Sequence, residues 1–91
     1  MNELALALRR WTTLLTGDQP EFLDIIAAFE ARELLRHRWT ELSAAQRAQV
    51  DQADALADEN ADVLLPALTG PGAKLPAAHY AAQFVARHQE A

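Results

Sequence analysis

Apolar residues in this chain recur at helical spacing and never alternate over a useful length, and β-branched residues are few. A chain patterned this way cannot build a half-buried strand, so its elements are helices. Pro and Gly punctuate it at three places and divide it into helical segments without an evident repeat.

The first helix is expected from about Asn2 to Thr16, ending at Gly17, with Leu4, Leu8, Trp11 and Leu15 as its buried stripe. Arg9, Arg10 and Thr13 face away. Asp18 reads as the N-cap of a second helix with Pro20 in its first turn. That helix is two-sided. Phe22, Ile25, Ile26 and Phe29 share one face, whereas Leu34, Leu35, Trp39 and Leu42 fall mostly on the other. Either it bends near Ala31 or it serves two partners, as a subunit interface would.

Ser43-Ala44-Ala45-Gln46 fits a capping box, so a third helix starts at about Ala44. Val50, Ala53, Leu56, Ala57, Ala61 and Leu64 line its inner face. Asn60 sits in the middle of that face, as a break in the helix or as a buried register-setting group. Pro66 disfavours helix at Leu65 and supports the break. The segment Leu68 to Leu75, with Gly70-Pro71-Gly72, reads as a loop. A last helix opens at Pro76 and runs to about Gln89, with Ala77, Tyr80, Ala81, Phe84 and Val85 inward. Arg87 and His88 lie in its last turn, where the helix dipole favours positive charge. The expected fold class is all-α: a single domain over residues 1–91, a compact bundle of four or five helices.

Composition narrows the function classes. With 91 residues and Ala dominating the apolar half, the core is thin and self-association is expected. The absence of Cys excludes disulfides, thiolate catalysis and Cys-based zinc sites. Neither a signal-like N-terminus nor a membrane-length apolar run is present, which leaves the cytoplasm as the default location. The formal charge is −5, with residues 51–91 holding Lys74 and Arg87 against six acids. A net-acidic chain is repelled by phosphate backbones, so nucleic acid and membrane surfaces are not expected partners.

No cofactor motif and no complete metal-ligand set is found. Glu30, Glu33 and His37 follow i, i+3, i+7, but no Glu-x-x-His occurs, and Glu33–His37 is more simply a helical ion pair. His79 and His88 have no second ligand at helical spacing. Ser43 serves as a cap, and no nucleophile elbow or phosphate-cradling loop exists.

Two features remain. Asp51, Asp54, Asp58 and Asp62 occupy one arc of about 80° on the third helix, with Glu59 beside them. Carboxylates at i,i+4 repel, and only Arg47 stands near enough to offset them, so the stripe is expected to dock a basic protein partner. Leu35, Trp39 and Leu42 are the expected homodimer contact, Trp39 being either an interface anchor or a cap on the core. The expected function is a small acidic, non-enzymatic interaction module, of the adaptor, inhibitor or immunity type. The alternative comes from Arg32-x-x-x-x-His37, which over six residues resembles the Arg…His motif of HEPN-type ribonucleases. That resemblance implies a small hydrolase with Arg32 and His37 in its site.

Overall fold

The computed structural model describes residues 2–16, 20–69 and 79–89; His79 and Gln89 are described in backbone only. Among these residues every regular element is helical: α1 (Glu3–Thr13), α2 (Phe22–His37), a 3-10 turn (Trp39–Glu41), α3 (Ala44–Glu59), α4 (Ala61–Thr69) and α5 (His79–Gln89). None is long and apolar enough to cross a membrane.

Local chemistry sets the helix ends. Asn2 caps α1 by accepting from the Ala5 N–H. The predicted capping box opens α3: Gln46 N–H donates to Ser43 Oγ (3.1 Å), and Ser43 N–H to Gln46 Oε1 (2.8 Å). Asn60 does break the third helix. It ends α3, its side chain donating to the Leu56 carbonyl (2.8 Å), while its own carbonyl receives the Val63 and Leu64 N–H groups of α4.

Several boundaries differ from the sequence expectation: α1 ends at Thr13 instead of about Thr16, and α2 ends at His37, so Trp39 and Leu42 lie past it. Helix α2 is entered through Glu21, whose N–H donates to Asp24 Oδ2 (3.3 Å), so Pro20 precedes the helix instead of opening it. The expected caps Gly17 and Asp18 lie outside the described residues, as do Gly70-Pro71-Gly72 and the Pro76 start of the last helix. Pro66 does not exclude helix at Leu65. It sits exposed inside α4, while Leu64, Ala67 and Leu68 bury on the opposite side. Packing of that apolar face outweighs the local cost of the missing backbone donor. Leu68 and Thr69 thereby belong to α4 and not to the loop.

Helix α2 lies at the centre and packs against α1, α4 and α5. Helices α1 and α2 are antiparallel neighbours, since Arg38 just past the end of α2 reaches Glu3 at the start of α1 (3.9 Å). Its central place accounts for the two-sided pattern of α2. The helix runs unbroken through Ala31, with Ile25, Phe29, Ala31 and Leu35 all buried within this one chain. Trp11, Phe29 and Phe84 form the middle of the core, with Phe29 5.2 Å from both Trp11 and Phe84 in edge-to-face contacts.

Candidate functional site

The most organised polar centre is built on Arg32, from the middle of α2. Its guanidinium forks onto Asp54 of α3, Nε to Oδ1 at 2.9 Å and Nη2 to Oδ2 at 3.0 Å. Trp11 of α1 donates its indole N–H to the same Oδ1 (2.9 Å). The guanidinium carbon lies 4.3 Å from the Tyr80 ring centre and 5.6 Å from that of Trp39. A weakly hydrated planar cation with carboxylate and aromatic partners tolerates burial that Lys would not. Arg32 is 8 % exposed. The cluster thus joins α1, α2, α3, α5 and the 3-10 turn.

Tyr80 stands over this centre, and its buried hydroxyl has no hydrogen-bond partner of good geometry. Burial pushes its phenol up to about 12, helped by the Asp54 charge; Arg32 and the nearby Arg87 pull the other way. Its backbone N–H, in the first turn of α5, donates to Glu33 Oε2 (3.1 Å). Glu33 also receives Arg36 (2.7 Å) and His37 (3.2 Å). This carboxylate therefore anchors the start of α5 from another helix, a role that no local spacing in the sequence signals.

The acidic stripe does not act as a unit. Asp54 is turned inward by Arg32 and Trp11. Asp58 is shared by Arg87 Nη2 and His88 Nε2, each at 2.8 Å, which ties α3 to the end of α5. Asp51, Glu59 and Asp62 are exposed. Arg47, expected to offset the stripe, instead donates to the Trp39 carbonyl (3.2 Å) and lies over the Trp39 ring at 5.8 Å.

The expected dimer contact needs correction. Leu35 is fully buried and Leu42 is 4 % exposed, both inside the chain's own core, so they have no surface to offer a second copy. Trp39 is half-buried against that core, between Arg32 and Arg47. Leu35 and Leu42 of the rotated face are therefore covered from within the chain.

Arg32 and His37 do not converge. Arg32 is committed to Asp54, whereas His37 is exposed beside Glu33 and Arg36. Five helical residues apart, they point about 140° from each other. Among the described residues no group of three or more His, Asp or Glu side chains could hold a metal ion. The His79 side chain is outside the described residues; His88 closes the end of α5, its ring 4.6 Å from that of Phe84. No protein-family model matches the chain, and no curated protein or solved structure is similar to it.

Proposed function

We propose that this chain is a non-enzymatic interaction module that binds a basic protein through the outer face of α3 and the start of α4. The observation that carries this reading is the exposure of Asp51 midway along α3 and of Glu59 and Asp62 on either side of the Asn60 break. With Asp54 half-buried and paired to Arg32, Asp58 contributes only the part of its charge that Arg87 and His88 leave uncompensated. Like charges held close along a helix weaken it slightly, and an incoming cationic surface relieves that repulsion. Docking is driven by long-range attraction that orients the partner before contact.

The test is comparative capture from the native cytosol. Immobilised wild-type protein and the Asp51→Asn/Glu59→Gln/Asp62→Asn variant are exposed to the same extract at low and high salt, and retained proteins are identified by mass spectrometry. The expected result is a basic protein held by the wild type at low salt, released at high salt and absent from the variant. Screening shortens the reach of such attraction from about 8 Å at physiological ionic strength to about 3 Å at 1 M. A partner retained equally by both proteins at both salt concentrations would overturn the acidic docking face.

A further inference from the structure

We draw no further inference here: the strongest candidate, the surface patch of Phe22 and Leu23 exposed at the start of α2, is an apolar face, and nothing in the structure shows what covers it.

Discussion

Arg32 and Asp54 form a two-pronged ion pair, at 2.9 and 3.0 Å, between two helices that are not close-packed neighbours. Helix α3 leans on α1 instead, and the pair bridges the remaining gap with Trp11 bound to the same carboxylate. One carboxylate thereby fixes three helices. Its side chain is 22 % exposed and that of Arg32 10 %, so solvent screens the pair only weakly.

Removing one partner should therefore cost more than removing both. Asp54→Ala leaves a buried cation uncompensated and is expected to lower unfolding stability by about 3 kcal/mol. Asp51→Asn, three residues earlier on the exposed side, should stay within about 0.5 kcal/mol of wild type. The double variant Arg32→Met/Asp54→Leu is expected to be more stable than Asp54→Ala alone, since no orphaned charge remains. Urea titration of the four proteins measures this, and equal losses for Asp51→Asn and Asp54→Ala would sink it.

Tyr80 gives a pH signature. Its folded-state pKa lies near 12 against an ordinary value of 10.0. Below pH 10 the phenol is neutral in both states and its contribution to stability is fully present. Between about pH 10 and 12 the unfolded chain loses the proton first, so stability falls as pH rises. Tyr80→Phe should abolish that part of the alkaline slope while changing neutral-pH stability by less than about 1 kcal/mol. Tyr80 is the chain's single tyrosine, so phenolate absorbance follows this one group directly. Ionisation at the ordinary value in the folded protein would contradict the prediction.

Trp39 separates the core reading from an interface reading. Half-buried and flanked by two guanidiniums, it should cost about 2 kcal/mol when changed to Ala, through lost packing and lost cation–π contact. The loss is expected in the monomer's own unfolding, with the association equilibrium unchanged. Light scattering beside urea titration distinguishes the two; dissociation without destabilisation would return Trp39 to an interface.

Pro66 tests why α4 forms at all. Its ring is exposed and denies the helix one backbone hydrogen bond, so Pro66→Ala should stabilise the protein by about 1 kcal/mol or more. Leu64→Ala, on the fully buried side of the same helix, is expected to cost about 3 kcal/mol. Thermal unfolding that moves the same way for both variants would refute the balance between burial and local propensity.

The helical class, the Ser43 capping box and the inward set of Val50, Ala57, Leu64, Tyr80, Ala81 and Phe84 were all legible in the sequence, whereas the break at Asn60 was one of two open alternatives. They rest on interactions within a turn or two, or on a period that the backbone imposes on every helix. Neighbour identity was not legible. The periodicity of α2 told correctly that it has two apolar sides, yet gave no means to distinguish a second copy from the same chain folding back, and Leu35 and Leu42 turned out to be covered from within. Helical spacing alone would put the four aspartates in one arc, but the break at Asn60 moves Asp62 to α4, and only tertiary packing decided that Asp54 is drawn to Arg32 and Asp58 to Arg87 and His88 while Asp51 and Asp62 stay in water. Pairings across 22 to 30 residues depend on how helices are placed in space, and helical spacing carries no information about that placement.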